Sequence, residues 1–160
     1  MSSANLPPLD MSSALTLLGD AVSREVLESL RETGIRHGHG YLVQRLLVGP
    51  ATATEIAEEL GVTQQAVSKA VNELLTLGHV EPAPDTADRR RRPVQLSARG
   101  RRAVETAREV RRGIDERLQH ALGRREFDRT MRSLGLALTV LGIAERVERR
   151  AAQPPEGRVS

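Results

Sequence analysis

The feature that most constrains this sequence is a pair of short amphipathic segments separated by a glycine at position 61. Thr54 can cap the first segment as a helix, and Gly61 can end it, because glycine adopts the left-handed backbone conformation without steric cost. Thr63 can cap the second helix, which should end at Gly78. Two short helices joined by a tight turn form a helix-turn-helix. The residues of the second helix predicted to face the core are Val67, Ala70, Val71, Leu74 and Leu75.

A charged hairpin is predicted directly after this helix pair. Residues 80–83 and 94–96 are short and partly apolar, and the ten residues between them are charged and bounded by prolines. This pattern is typical of a β-hairpin, or wing. Its tip carries four consecutive arginines, whose mutual repulsion is unfavourable without an anionic partner such as DNA; a solvated charged loop is the alternative. The arginines are Arg89, Arg90, Arg91 and Arg92.

The distribution of charge also indicates an anionic partner. Between residues 61 and 102, eight basic residues accompany four acidic ones, and this excess is larger than the net charge of +3 of the whole chain. This one stretch therefore carries more than the net positive charge of the whole chain.

Two helices are predicted before the helix-turn-helix. The first can be capped by Asp10 or Ser12 and should stop near Gly34. Its apolar stripe requires a partner surface. A shorter helix over about 41–48 ends where a glycine and a proline follow, since proline cannot continue a helix.

Two longer helices are predicted after the hairpin. Ser97 caps the first, which runs to about Leu122, and the second covers about 125–150. Around residues 134–144 the last helix is apolar on nearly every side, and one neighbouring helix cannot cover it. A second copy of the chain is the expected cover, and burial within one subunit is the alternative. The candidate dimer-interface residues are Leu15, Leu18, Leu134, Leu138 and Leu141.

The outward face of the second helix of the pair carries side chains suited to reading DNA bases. Such a helix enters the major groove with its N-terminal side chains towards the base edges, where Gln can pair with adenine, Lys with guanine and Ser with either. An ordinary solvated face is the alternative. Hydroxyls at the two helix starts can also meet phosphates, or serve only as caps. The candidates are Thr63, Gln64, Gln65, Ser68, Lys69 and Asn72 on this helix, with Thr52 and Thr54 for the DNA backbone.

These segments resemble those of one family of DNA-binding proteins. The sequence Leu-Gly-Val-Thr-Gln-Gln-Ala-Val-Ser-Lys at 60–69 is similar to the turn and recognition helix of the MarR family, and residues 77–81 resemble its junction between helix and wing. Asp88, Arg89 and Arg90, followed by residues 94–101, are similar in order and spacing to the family's wing and the strand-to-helix signature after it. The resemblance spans most of the chain.

The resemblance implies a mainly α-helical fold with a small β-wing, in which a winged helix-turn-helix lies between N- and C-terminal dimerisation helices. It implies a homodimer that binds a near-palindromic DNA site. It further implies that Asp88 orients the wing through an ion pair and that Arg89 or Arg90 reaches the minor groove. A pocket between the dimerisation and DNA-binding lobes would accept a small-molecule effector, whose identity the sequence does not indicate.

The expected organisation has five parts. Residues 1–10 and 151–160 are proline-containing tails, 11–48 are N-terminal helices for dimerisation and support, 49–97 form the winged helix-turn-helix, and 98–150 are C-terminal dimerisation helices. No secretory signal and no apolar run long enough to cross a bilayer is found, so we expect a cytoplasmic protein without a membrane partner.

Other function classes find little support in the sequence. The chain has no cysteine, which excludes disulfides and thiol-based sensing. It has no glycine-rich phosphate loop or nucleophile elbow, so we expect no enzyme activity, no catalytic residue and no cofactor. His37 and His39 lie on either side of Gly38 and are expected in a solvated loop rather than in a metal site.

The sequence therefore predicts a sequence-specific DNA-binding transcriptional regulator that acts as a homodimer and is expected to repress, with double-stranded DNA and a second copy of the chain as partners. The alternative is an architectural or protein-interaction winged-helix protein without sequence-specific regulation.

Overall fold

A computed structural model describes residues 9–84 and 92–143 of the chain. Within these ranges the fold is mainly helical with one small antiparallel sheet, which confirms the expected fold class. None of the described helices is long and apolar enough to cross a bilayer. The elements are α1 (Met11–Ser29), α2 (Gly40–Leu46), α3 (Ala53–Leu60), α4 (Gln64–Thr76), β1 (Val80–Pro82), β2 (Val94–Leu96), α5 (Ala98–Leu122) and α6 (Arg124–Val140), with 3-10 turns at Arg31–Thr33 and His37–His39.

The core lies where the helix-turn-helix meets the sheet and the start of α5. Ile56 of α3 and Leu74 of α4 are fully buried, and they pack in one cluster with Leu96 of β2. Burial of these apolar side chains is the main force that holds α4 in place. Further members of the cluster include Val26, Leu30, Leu42, Leu46, Val67, Val71, Val80, Val94 and Val104.

The sheet forms the base of the predicted wing. β1 pairs with β2 in antiparallel register, with Val80 opposite Leu96 and Pro82 opposite Val94. Ala51, which precedes α3, exchanges two backbone hydrogen bonds with Val94, at 2.9 and 3.1 Å. The start of the helix-turn-helix is therefore attached directly to the wing.

The cap of α3 differs from the expectation. Thr52, not Thr54, caps this helix: its Oγ1 accepts from the N–H of Glu55 at 3.2 Å, and Glu55 Oε2 accepts from the N–H of Thr52 at 2.8 Å. This capping box satisfies two N–H groups reciprocally, which an alternative start at Thr54 could not do without a glutamate three residues later. The predicted caps Thr63 and Ser97 are confirmed.

Two helix ends also differ from the expectation. Asp10 caps α1, which ends at Ser29 rather than near Gly34, because the chain tightens into a 3-10 turn before Gly34 reverses it at φ +78°. The last helix ends at Val140, ten residues before the expected end. A glycine cap stops it: Gly142 has φ +69°, and the N–H groups of residues 142 and 143 donate to the carbonyls of residues 139 and 138. Residues 144–160 and 1–8 lie outside the described ranges.

Candidate nucleic-acid interface

The N-terminus of α4 is built to present polar side chains outward. The Thr63 hydroxyl accepts from the N–H of Ala66 at 3.2 Å and fixes the first turn. Val67, Val71 and Leu74 are buried on the inner side of the helix. The predicted base-reading residues lie on its other sides: Gln64, Gln65, Lys69 and Asn72 are exposed, and Ser68 is half-buried.

Four of these side chains line one wall of a broad open cleft. Gln65, Ser68, Lys69 and Asn72 lie along α4, and the opposite wall is formed by the end of α1 and residues 34–37. The cleft has a volume of about 1170 Å³. The predicted reading face is therefore continuous with a cavity that extends towards α1.

The two threonines predicted to contact the DNA backbone have different surroundings. Thr54 is exposed, and its Oγ1 accepts a hydrogen bond from Nε2 of Gln64 at 3.0 Å, which connects α3 to the start of α4. Thr52 is half-buried, and its hydroxyl is engaged with Glu55 in the cap. Thr54 thus lies at the surface beside the recognition helix, whereas Thr52 has a structural role at the helix start.

The wing is described at its base and not at its tip. Arg92, two residues before β2, is exposed. Gln95 donates from Nε2 to Glu81 Oε1 at 3.0 Å across the two strands. The other wing residues in the prediction, Asp88, Arg89, Arg90 and Arg91, lie outside the described residues.

His39 connects the α1–α2 segment to the recognition helix, which sequence reasoning missed. Its ring is buried, and its Nε2 lies 2.9 Å from Oε2 of Glu73 in α4. The backbone N–H of Arg36 donates to its Nδ1 at 3.2 Å, so Nδ1 carries no proton and Nε2–H donates to the carboxylate. The expectation of a solvated histidine pair is therefore wrong for His39, because Glu73 of α4 gives Nε2 a partner and the N–H of Arg36 gives one to Nδ1. His37 is exposed.

The same contact perturbs the carboxyl group of Glu73. The hydrogen bond from His39 lowers the pKa of Glu73 from its ordinary value, and the positive charges of Lys69 and Arg36 act in the same direction. Glu73 therefore remains a carboxylate, the form that accepts the bond, at neutral pH.

A second buried histidine lies just past the end of α4. His79 has no exposed surface, and its Nε2 lies 2.9 Å from the carbonyl oxygen of Thr33, so Nε2–H is the donor. Its Nδ1 is buried and has no hydrogen-bond partner among the described residues. No sequence pattern indicates either histidine contact, because the partners are 34 and 46 residues away.

The apolar surface predicted to pair two copies is open in the single chain. No residue of α6 is buried, and Leu134 and Leu141 are exposed, as is Leu18 in α1; Leu15 and Leu138 are half-buried. Burial of the last helix within one subunit, the alternative left open by the sequence, is therefore wrong for the described part of α6. The described residues contain no group of three His, Asp or Glu side chains that could hold a metal ion.

Sequence comparison finds a family model and a curated protein that match part of the chain. A family model for the MarR family matches residues 39–91, which include α2, the helix-turn-helix and β1. The chain is also 43% identical over 54 residues to the LexA repressor of Deinococcus radiodurans, a match that covers 34% of this chain and 24% of that protein. The chain thus spans about a quarter of this curated relative.

Structural comparison covers far more of the chain. The transcriptional regulator Tm0710 from Thermotoga maritima is 25% identical, with a TM-score of 0.61 over 86% of this chain and 96% of that one. A MepR–DNA complex from S. aureus is 20% identical, with a TM-score of 0.66 over 81% of this chain and 98% of that one, and it shows the shared fold. Residues 39–91 therefore match the MarR family, and the chain shares its winged-helix fold with the transcriptional regulator Tm0710.

Proposed function

We propose that this chain is a sequence-specific transcriptional regulator that binds a near-palindromic DNA site as a homodimer and represses the adjacent gene. The observation that carries the proposal is the two-sided character of α4. Its inner side is apolar and buried, and its outer side presents Gln65, Lys69 and Asn72, while the sequence between β1 and β2 is rich in arginine. A helix of this kind suits the major groove, and the wing suits phosphates or the minor groove. The S. aureus MepR structure contains DNA bound to this fold.

The proposed homodimer accounts for the exposed apolar residues of α1 and α6. A monomer rarely leaves so many large apolar side chains on two helices in water, and a symmetric pair would cover them. The exposed residues are Met11, Leu17, Leu18, Met131, Leu134, Leu136, Val140 and Leu141. A dimer would also present two recognition helices, as a near-palindromic site requires.

Ligand responsiveness is the third part of the proposal. A pocket of about 370 Å³ lies between α1, α2 and α5, with apolar walls that include Val26, Leu30 and Val104 and with Arg36 and Arg111 among its polar residues. Its size and mixed lining suit a small molecule. Such an effector would control DNA binding only if it bound the free and DNA-bound conformations with different affinity. The proposed role requires no catalytic residue, cofactor or metal ion.

Selection from a random duplex library tests the proposal. The purified protein should enrich a defined near-palindromic sequence and bind it about a thousandfold more tightly than a scrambled duplex at the same salt concentration. Binding with equal affinity to all duplexes and a steep salt dependence would favour the architectural alternative. No binding to any duplex would refute DNA recognition.

A further inference from the structure

Glu73 lies between the proposed reading face of α4 and the protein interior. It follows Lys69 by one helical turn and lines the same cleft as Gln65 and Asn72. Its side chain is 38% exposed, whereas that of His39, its hydrogen-bond donor, is 5% exposed. The bond therefore joins a residue of the reading surface to a buried one.

We infer that Glu73 is a positioning residue for DNA reading, which holds the recognition helix against the segment between α1 and α2 through its bond with His39. The inference rests on the proposed function. Glu73 would thus contribute to DNA reading without contacting a base itself, unlike the proposed base-reading residues of α4.

The hydrogen bond between His39 and Glu73 is directional, so it can fix the orientation of α4 in a way that apolar packing cannot. Val67, Val71 and Leu74 keep α4 on the core, but burial of apolar surface has little directional preference. A hydrogen bond weakens steeply when its donor or acceptor is displaced. The imidazole of His39 cannot follow Glu73 freely, because its Nδ1 is held by the N–H of Arg36.

The segment between α1 and α2 also lies against residues just past the C-terminus of α4. A Cβ atom on Gly34 would stand 2.7 Å from Cδ2 of Leu77, and His79 bonds to the carbonyl of Thr33. Of these contacts, that of His39 with Glu73 lies closest to the N-terminal half of α4. It is thus the contact best placed to orient Gln65 and Lys69.

The charge of Glu73 provides a way to separate positioning from electrostatics. A carboxylate on a surface that faces phosphates opposes DNA binding, so its removal should tighten binding to any sequence. If α4 loses its orientation, binding to the preferred sequence should weaken, whereas binding to other sequences should not. The quantity to measure is therefore the ratio of the two affinities, which we call the specificity ratio.

The test compares Glu73→Gln with Glu73→Ala. The probes are the duplex that the wild-type protein selects from a random library and a scrambled duplex of equal length, at one salt concentration. Both variants lose the same charge, but the glutamine amide oxygen can still accept from Nε2–H of His39. We expect the specificity ratio to fall about tenfold in Glu73→Ala and to stay near the wild-type value in Glu73→Gln.

His39→Leu tests the same bond from its buried side. This side chain cannot reach DNA, so any loss of specificity must act through α4. It should lower the ratio as Glu73→Ala does, and the double variant should show little further loss, because both changes break one interaction. Partial unfolding would lower the affinities for the selected and the scrambled duplex by the same factor and leave the specificity ratio unchanged.

Matched controls use the ion pair between Glu25 of α1 and Arg117 of α5, with an oxygen-to-nitrogen distance of 2.6 Å, away from α4. Glu25→Ala and Glu25→Gln should both keep the wild-type ratio. If Glu73→Ala also keeps it, the inference is overturned and the proposed function stands. If the wild-type protein selects no sequence, the proposed function and the inference are both overturned.

Discussion

Gly100 in the first turn of α5 lies against the backbone of His79. A Cβ atom at position 100 would stand 2.1 Å from the carbonyl oxygen of His79, far inside van der Waals contact. The same turn is held by Ser97, which donates from Oγ to the carbonyl of Gly78 at 2.6 Å and accepts from the N–H of Gly100 at 3.1 Å. This close approach sets where α5 leaves the winged helix-turn-helix.

Gly100→Ala should therefore destabilise the protein. Alanine is favoured over glycine within a helix by about 1 kcal/mol, but displacement of the His79 backbone should cost more, leaving a net loss of about 1 to 2 kcal/mol. Chemical denaturation measures this change. Gly113→Ala in the same helix is the control, since nothing lies within 4 Å of its added Cβ, and it should be neutral or stabilising. A stable Gly100→Ala protein would show that the contact is not tight in solution.

Asp10→Asn should remove an acid-dependent component of stability. Hydrogen bonds from Ser12 and Ser13 lower the pKa of Asp10 from 3.8 to about 2. Because the folded-state pKa is depressed, this group stabilises α1 above its unfolded-state pKa, and the stabilisation is lost as the pH falls from about 4 towards 2. The wild type should lose more stability over this window than Asp10→Asn, as measured by unfolding at a series of pH values. Identical pH profiles would contradict the assignment of Asp10 as a charged cap.

Gln65→Ala should weaken binding to the selected duplex by about 1 to 3 kcal/mol, because Gln65 is exposed on the reading face and can pair with a base edge. Binding to a scrambled duplex should change little, since the substitution removes no charge. Titration of both duplexes at one salt concentration measures the difference. An equal loss on both would mean that Gln65 reads no base.

Leu141→Asp should dissociate the proposed dimer. Leu141 is 64% exposed in the single chain, so an aspartate there costs the isolated fold little, whereas a charge in an apolar interface is strongly unfavourable. Sedimentation velocity measures the oligomeric state, and we expect the monomer.

The control for this substitution is Val62→Asp. Val62 is 49% exposed and lies in the turn between α3 and α4, away from α1 and α6. It should leave the oligomeric state unchanged. If Leu141→Asp sediments like the wild type, Leu141 does not lie in the interface.

Local features of the fold were predicted well from the sequence. The caps Thr63 and Ser97, the two strands and the turn at Gly61 all depend on groups within a few residues of each other. The cap of α3 was misplaced by two residues, because two threonines were available and the decision depended on which had a glutamate three positions later. The end of α6 was missed because the apolar pattern continues past Gly142, where the backbone turns.

The candidate site was predicted in part. The side chains of α4 could be assigned to a reading face because helical spacing alone separates Gln65 and Lys69 from Val67 and Val71. The bond between His39 and Glu73 could not be predicted, since a histidine between glycines has no periodicity that indicates burial.

The sequence by itself determined the order of the helices, the two-sided recognition helix and the arginine-rich hairpin, because helix capping, turn formation and amphipathic spacing are interactions between near neighbours. Only the tertiary structure decided which histidines are buried, how closely α5 approaches the turn at His79, and that no residue of α6 is buried in the described part of the chain. These features depend on how distant segments pack, since a buried polar group takes the partner that the fold brings to it and an apolar face stays exposed where no segment reaches it.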